Sequence, residues 1–132
     1  MRLYPPAWIF DRQAVADDEV RGYRIPAGAT VMISPYVLHR HPDFWERPDE
    51  FDPERFSPEG SAGRPRYAYF PFGGGQRLCV GNIFAMVEAR LVFATLAQKW
   101  RFTLSPEDTL ELVPSITIRP KHGIHLIAHK RT

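Results

Sequence analysis

Thirteen prolines in 132 residues set the first limit on how this chain can fold. That share is nearly double the roughly 5% of an average protein. Proline lacks a backbone N–H and clashes with the preceding helical turn, so it breaks helices and is excluded from central strands. The sequence therefore predicts many turns and irregular segments, with little helix before Gly81.

The best helical segment covers residues 82–100 and contains no proline. Its polar residues Glu88, Thr95 and Lys99 recur at helical spacing, and apolar residues fill most of the other positions. A helix that is apolar nearly all round is typical of a buried element. We therefore expect a long buried helix here.

The first third of the chain has the pattern of short strands at residues 8–10, 22–25 and 30–33. A Pro-Ala-Gly turn separates the last two, which predicts a small antiparallel meander. Ser34 and Pro35 then supply a hydroxyl cap and a proline at the first helical position, so a short helix is expected to begin there and to end by Pro42.

The remaining segments complete an α+β fold class. Residues 49–56 carry proline and acids and predict an ordered turn, and residues 57–66 predict a loop. Residues 110–118 and 124–128 alternate between apolar and polar side chains. Because a short proline- and glycine-containing segment joins them, we expect a C-terminal hairpin.

Composition excludes several classes of protein. One cysteine cannot form an internal disulfide or a multi-cysteine zinc site. Seventeen basic and fifteen acidic residues give a formal net charge of +2 without a long basic run, so we expect no nucleic-acid partner. No apolar stretch approaches the ~20 residues of a membrane span. The polar, proline-containing start predicts no signal peptide.

Residues 72–81, Phe-Gly-Gly-Gly-Gln-Arg-Leu-Cys-Val-Gly, place the single cysteine just before the long helix. Glycines permit a positive φ and close approach to a flat partner, and helix-start N–H groups favour a thiolate at Cys79. Arg77 can pair with a carboxylate, Phe72 offers an apolar face, and Gly81 leaves space beside the sulfur. These properties fit a planar apolar cofactor with acidic edges and a thiolate-accepting metal, and haem has them.

The residue types of this stretch also suit three other kinds of site. A lone cysteine at a helix start is more often a small buried apolar residue. A glycine run can bind phosphate, but no Gly-Lys-Ser/Thr follows, and Leu78 stands where a dinucleotide motif needs its third glycine. A Cys–His nucleophile would need a histidine, and no spacing brings one to Cys79. The histidines are His39, His41, His122, His125 and His129.

The same stretch resembles the haem-binding loop of the cytochromes P450, whose pattern is Phe-x-x-Gly-x-Arg-x-Cys-x-Gly. The matching positions are Phe72, Gly75, Arg77, Cys79 and Gly81. Two further segments agree in order. Residues 52–56 resemble the family's Pro-Glu-Arg-Phe segment, and residues 2–6 resemble the end of its Glu-x-x-Arg helix.

The resemblance implies a role for each matching residue. Cys79 would be the catalytic residue and the ligand of the haem iron. The other haem-binding residues would be Phe72, Gly75, Arg77, Gly81 and Arg12. Arg2 and Arg55 would belong to the family's Glu–Arg–Arg structural network. The segments that line the substrate pocket in the family correspond to Ala7, Trp8, Ser115 and Ile116.

The resemblance also implies an activity for the full-length protein. A cytochrome P450 monooxygenase uses haem b and inserts one atom of O₂ into a small hydrophobic organic substrate. Its electrons come from NAD(P)H through a ferredoxin, a flavodoxin or a flavoprotein reductase. The loop resembles that of bacterial members, which implies a cytoplasmic protein, although an anchor upstream of this chain is left open.

The resemblance covers only the last third of the family, which is mainly α-helical at full length. The glutamate of Glu-x-x-Arg would lie two residues before Met1, and the central helix with its acid–threonine pair has no counterpart here. Residues 1–132 are therefore expected to be the incomplete C-terminal portion of one haem domain, inactive alone. The alternative is a truncated, catalytically inactive haem-binding fragment.

Overall fold

A computed structural model describes residues 1–131 of the chain. These residues form two compact units. Unit 1 comprises residues 1–71 and 116–118. Unit 2 comprises residues 72–115 and the described residues from 119 onward. The boundary therefore falls directly before Phe72, the first residue of the cysteine-containing loop.

Unit 1 begins with two separate antiparallel strand pairs. β1 (Phe10–Gln13) pairs with β4 (Thr30–Ile33), and β2 (Asp18–Val20) pairs with β3 (Tyr23–Ile25). The expected meander is therefore wrong in its pairing, because a hairpin is inserted between the two outer strands. The turn of this inserted hairpin, Arg21-Gly22, has a positive φ at both residues, as a tight two-residue hairpin turn requires.

The only α-helix in the described part of unit 1 is α1 (Pro35–Leu38). The Ser34 side chain accepts the Val37 N–H at 3.3 Å, so the predicted hydroxyl cap is confirmed. The helix ends earlier than Pro42, since His39 already forms its C-cap. Residues 40–71 consist mainly of turns, including 3₁₀ segments at Pro53–Phe56 and Arg66–Ala68. The turn and loop predictions for this region are confirmed.

All of the buried residues among positions 1–131 lie in unit 1. Trp45 is 1% exposed, and Ala68 and Phe70 are also buried. Three polar side chains share this core, namely Arg2, His39 and Arg55. Two prolines complete the set, Pro5 and Pro35. The core is therefore built from rings and guanidinium groups as much as from aliphatic side chains.

Unit 2 is dominated by α2 (Asn82–Lys99), which matches the predicted helix to within one residue. The helix ends because Trp100 adopts an extended backbone conformation, with φ −132° and ψ 144°, and begins β5 (Trp100–Leu104). β5 pairs antiparallel with β8 (Leu126–Lys130), so that Phe102 lies opposite Ala128. The helix therefore leads directly into a two-stranded sheet.

The predicted C-terminal hairpin is wrong in its pairing. Residues 110–118 divide into two short strands, β6 (Leu112–Pro114) and the start of β7 (Ile118–Pro120), which form a sheet with each other. The last strand pairs instead with β5. Asp108 stabilises this pairing, because its carboxylate accepts the backbone N–H of His125, the residue directly before β8, at 2.9 Å. That hydrogen bond lowers the pKa of Asp108 below its ordinary value.

The expectation that the long helix is buried is not met within this chain. No residue of α2 is buried, and Phe84 and Leu91 are 73% and 63% exposed. Within unit 2 the helix has a few contacts with β5, the strand that follows it directly in the chain. A helix that is apolar on every side needs partners on every side, and a two-stranded sheet covers only one of them.

Candidate functional site

The cysteine loop, residues 72–81, is closed by a hydrogen bond between its ends. The Cys79 N–H donates to the Phe72 carbonyl at 3.0 Å. Gly73 and Gly75 have φ values of 75° and 67°, a region that residues with a Cβ rarely adopt. The two glycines therefore let the backbone turn sharply enough to bring the cysteine back beside the phenylalanine.

The sulfur of Cys79 is accessible and has open space on one side. The residue is exposed, and a Cβ added to Gly81 would lie 3.9 Å from its Sγ. Leu78 and Val80, the neighbours of the cysteine, are 48% and 102% exposed. An accessible sulfur framed by exposed apolar side chains can lie against a flat apolar group, because covering those side chains is favourable.

The first amides of α2 donate to nearby oxygen atoms. The Asn82 N–H donates to the Cys79 carbonyl at 3.3 Å, and the Ile83 N–H donates to the Asn82 Oδ1 at 2.6 Å. These two amides are therefore satisfied by oxygen atoms of neighbouring residues, and Gly81, the N-cap residue, provides no side-chain cap. The helix begins at Asn82, as the sequence predicts, and the preference of its first amides for a thiolate at Cys79 stays a prediction.

The sequence predicts that two arginines, Arg77 and Arg12, bind the acidic edges of a cofactor, and both are exposed. Arg77 lies in the loop, and its side chain has no hydrogen-bond or ion-pair partner among residues 1–131. Arg12 lies on β1 in unit 1. Its guanidinium stands 5.0 Å from the Phe10 ring centroid and donates to the Asp11 carbonyl. Both guanidinium groups retain exposed donors for a carboxylate.

Arg2 and Arg55, for which the sequence predicts a structural role, are buried and donate to backbone carbonyls. Arg2 donates to the carbonyls of His39 at 3.0 Å and Glu50 at 2.7 Å, and also to Pro48. Arg55 donates to the carbonyl of Arg47 at 3.0 Å and also to Glu46. Its Nε lies 3.7 Å from Asp52 but makes no hydrogen bond. Arg2 and Arg55 therefore both bind the backbone of residues 39–50, one from before this stretch in the chain and one from after it.

Positive charge is concentrated around these arginines. Burial, together with the charges of Arg55 and Arg40, lowers the pKa of Arg2. Arg64 stacks 4.2 Å from the Trp45 ring centroid and donates to the Arg55 carbonyl. Arg64 is therefore a half-buried member of this cluster. Its tryptophan partner is 19 residues earlier, so the contact leaves no periodic signal in the sequence.

The candidate substrate-lining residues divide between the units. In unit 1 the Ile118 N–H donates to the Pro6 carbonyl at 2.9 Å, which brings residues 116–118 alongside residues 6–8. Ile116 is 90% exposed, Ala7 is exposed and Trp8 is half-buried. Ser115 is exposed and belongs to unit 2. The structure therefore brings Ala7, Trp8 and the segment of Ile116 together.

Sequence reasoning missed two rings at the centre of unit 1. His39 has no exposed surface, and its Nε2 accepts the Phe70 N–H at 3.0 Å. The Trp45 Nε1 donates to the Ala68 carbonyl at 3.2 Å. Burial lowers the pKa of His39 to about 4. A tryptophan within a polar, proline-rich stretch was the available signal, because such a large ring is rarely left in solvent.

Comparison with known proteins settles the family. A sequence model described as cytochrome P450 matches residues 1–127. The chain belongs to the cytochrome P450 family. It is 45% identical over 130 residues to the putative cytochrome P450 132 of Mycobacterium tuberculosis, covering 98% of this chain and 28% of that protein. It is 44% identical over 128 residues to cyclooctatin synthase of Streptomyces melanosporofaciens, covering 97% of this chain and 26% of that one.

Solved P450 structures contain the same arrangement. The retinoic acid-bound cyanobacterial CYP120A1 superposes with a TM-score of 0.92 at 38% identity, covering 98% of this chain and 30% of that one. The strand-rich segment with one long helix thus matches the C-terminal part of the P450 fold. The chain spans less than a third of each of these relatives. Neither helix in the described residues is long and apolar enough to cross a bilayer.

Proposed function

We propose that this P450 chain is the haem-ligating portion of a haem-thiolate monooxygenase, with Cys79 as the ligand of the iron. The observation that carries the proposal is the accessible sulfur, which lies beside a residue without a side chain and between exposed Leu78 and Val80. A structural cysteine would be buried among apolar atoms. This one is presented outward at the base of a helix.

The residues of the loop fit haem. Phe72 is half-buried and lies at the base of the loop, where its carbonyl holds the Cys79 amide. Gly75 and Gly81 keep side chains away from the loop surface that a flat ring would cover. When bound, haem supplies the iron that activates O₂, and a thiolate ligand donates electron density that favours O–O cleavage.

Two arginines would hold the propionates of haem b. Arg77 is exposed and without a partner in residues 1–131, so binding a propionate would not break an existing ion pair. Arg12 donates only to a neighbouring carbonyl and keeps further N–H groups free. Guanidinium groups bind carboxylates through paired hydrogen bonds, which would also fix the orientation of the ring.

Arg2 and Arg55 would act as structural residues of the haem domain. Each already binds backbone carbonyls, and the positive cluster around them is suited to accept one carboxylate from another segment. Ala7, Trp8, Ser115 and Ile116 would contact a small hydrophobic substrate. The exposed apolar surface of Ile116 supports this role.

The whole protein would insert one oxygen atom from O₂ into an organic substrate. Its electrons would come from NAD(P)H through a ferredoxin, a flavodoxin or a flavoprotein reductase. The resemblance of the cysteine loop to bacterial members supports a bacterial, cytoplasmic enzyme.

A second candidate function is a haem-binding fragment without catalysis. The exposed apolar surface of α2 favours it, because no residue of that helix is buried within this chain. Apolar patches of this kind normally mark an interface or an aggregation-prone surface. A chain with such a surface can bind haem and still lack the segments that complete a reaction site.

Haem titration of two proteins tests the proposal. The first is this chain, and the second is a chimaera in which this chain replaces the matching part of the 45%-identical Mycobacterium tuberculosis relative. Each is titrated with haem, reduced and exposed to carbon monoxide, and the Soret band is recorded. We expect the band of a thiolate-ligated iron in the chimaera, together with NAD(P)H- and O₂-dependent substrate oxidation when a redox partner is added.

The two candidates predict different results. A thiolate spectrum in both proteins, with turnover in the chimaera alone, supports the monooxygenase with an inactive isolated chain. A thiolate spectrum without turnover in either protein supports the haem-binding fragment. Haem that binds without a thiolate band, or that binds equally well after Cys79→Ala, overturns both.

A further inference from the structure

The segment that leads into the cysteine loop is held at two points by buried rings. The His39 Nε2 accepts the Phe70 N–H at 3.0 Å, and the Trp45 Nε1 donates to the Ala68 carbonyl at 3.2 Å. Both hydrogen bonds are buried. They fix one donor and one acceptor of a three-residue backbone segment, residues 68–70, that ends two residues before Phe72.

Both rings are themselves fixed by contacts within unit 1. The Trp45 ring contacts two guanidinium groups, that of Arg2 at 5.0 Å and that of Arg64 at 4.2 Å from the ring centroid. His39 caps α1 through its own backbone N–H, and its carbonyl accepts from Arg2. The surrounding core therefore fixes the positions of the two rings, and the rings in turn bind residues 68–70.

We propose that His39 and Trp45 form a clamp on residues 68–70, and that His39 is thereby a positioning residue for the cysteine loop. This inference rests on the proposed function in one respect only, namely that the loop binds haem. The clamp holds the backbone from which the loop departs. Phe72, two residues further, accepts the Cys79 N–H, so the held backbone continues directly into the hydrogen bond that closes the loop.

The clamp requires one tautomer of a neutral histidine. Because the Phe70 N–H donates to Nε2, that atom must carry a lone pair and the proton must be on Nδ1. Protonation of Nε2 would replace an attraction by a clash of two donors. The groups around His39 oppose a positive charge, since Arg2, Arg40 and the amino terminus are all cationic, and the nearest ring, Tyr69 at 5.0 Å, is neutral.

Comparing the wild type with two variants distinguishes a hydrogen bond from His39 from mere packing of its ring. His39→Phe keeps a buried ring but removes the acceptor. His39→Gln places an amide oxygen near the position of Nε2 and restores it. Amide hydrogen exchange of Phe70 is measured in the wild type and in both variants without haem, with the β1 and β4 amides as internal reference. We expect exchange at Phe70 to rise about tenfold or more in His39→Phe and to recover in His39→Gln, since an unsatisfied buried amide opens more easily.

Haem binding provides the second measurement. We expect His39→Phe to weaken haem affinity about tenfold or more, while His39→Gln stays close to the wild type. Should Phe70 exchange equally in all three forms, the clamp is overturned. Faster exchange with unchanged haem affinity overturns the positioning role. A wild type that binds no haem refutes the proposed function and leaves the exchange result to decide the clamp.

A measurement on the wild type covers the case in which His39→Phe does not fold. The ¹⁵N shifts of the His39 ring report which nitrogen carries the proton. We expect a proton on Nδ1 and a lone pair on Nε2. The opposite tautomer, or a charged ring at neutral pH, would overturn the clamp without any variant.

Discussion

The two units of this chain show opposite relations between sequence and burial. Unit 1 is rich in proline and charge, yet it contains every buried residue among positions 1–131. Unit 2 contains the most apolar segment of the chain, α2, and buries none of it. Burial here follows from which side chains have partners, and a run of apolar residues does not provide partners by itself.

The reason for the difference is the nature of the contacts available to each unit. In unit 1, guanidinium groups stack on aromatic rings and donate to carbonyls, so a polar chain can still close a small core. In unit 2, one helix meets a two-stranded sheet, and too little of its surface is covered. The unit with the exposed helix also carries the exposed cysteine. The exposed apolar side chains of unit 2 are available to bind a partner, whereas unit 1 is stabilised by its own buried contacts.

The largest expected effect concerns the sulfur in unit 2. Cys79→Ser should abolish the thiolate Soret band of the ferrous carbon monoxide complex, because a hydroxyl does not replace a thiolate as ligand. The free energy of unfolding without haem should change by less than about 0.5 kcal/mol, since the side chain is exposed. Retention of the thiolate band would show that another group binds the iron.

Two phenylalanine substitutions test the difference in burial between unit 1 and α2. Phe70→Ala should lower the free energy of unfolding by about 3–5 kcal/mol, because it empties a buried site beside His39 and Phe10. Phe84→Ala on α2 is the matched control and should change it by less than about 0.5 kcal/mol. Urea unfolding of the chain measures both. Equal losses at the two positions would mean that α2 is covered in solution.

The buried histidine makes the stability of unit 1 depend on pH. The pKa of His39 is lowered from 6.5 to about 4 by burial, so the unfolded chain binds its proton first as pH falls. The free energy of unfolding should therefore be full above about pH 6.5 and should decline by about 3 kcal/mol on reaching pH 4. Urea unfolding over this range measures the decline, and His39→Gln, which does not titrate, is the reference. A parallel decline in the variant would assign the effect to other groups.

The smallest effect distinguishes two arginines by their surroundings. Arg2→Met in unit 1 should lower the free energy of unfolding by about 2 kcal/mol, since three carbonyls lose a charged donor while repulsion from Arg55 is relieved. Arg77→Met in unit 2 should leave stability unchanged but weaken haem binding. Urea unfolding and haem titration of both variants give four values. The opposite pattern would exchange the structural and binding roles.

Local rules in the sequence predicted those elements whose causes are local. The serine–proline cap started α1 as expected, and the apolar pattern predicted α2 to within one residue, because caps and helical periodicity depend on near neighbours. Strand pairing was predicted poorly. Asp108, which is 17 residues from His125, helps to direct the last strand to β5, and no short window of sequence contains both.

The sequence by itself determined the family, the composition of the cysteine loop and the position of the long helix, since each depends on residues that are close together in the chain. Only the tertiary structure decided that His39 and Trp45 form hydrogen bonds with residues 68–70, that Arg64 stacks half-buried on Trp45, and that α2 is uncovered. The first two outcomes depend on contacts between residues 19 to 31 positions apart in the chain, such as Trp45 with Arg64 and His39 with Phe70. Their energies come from burial, which no residue possesses until its partners surround it.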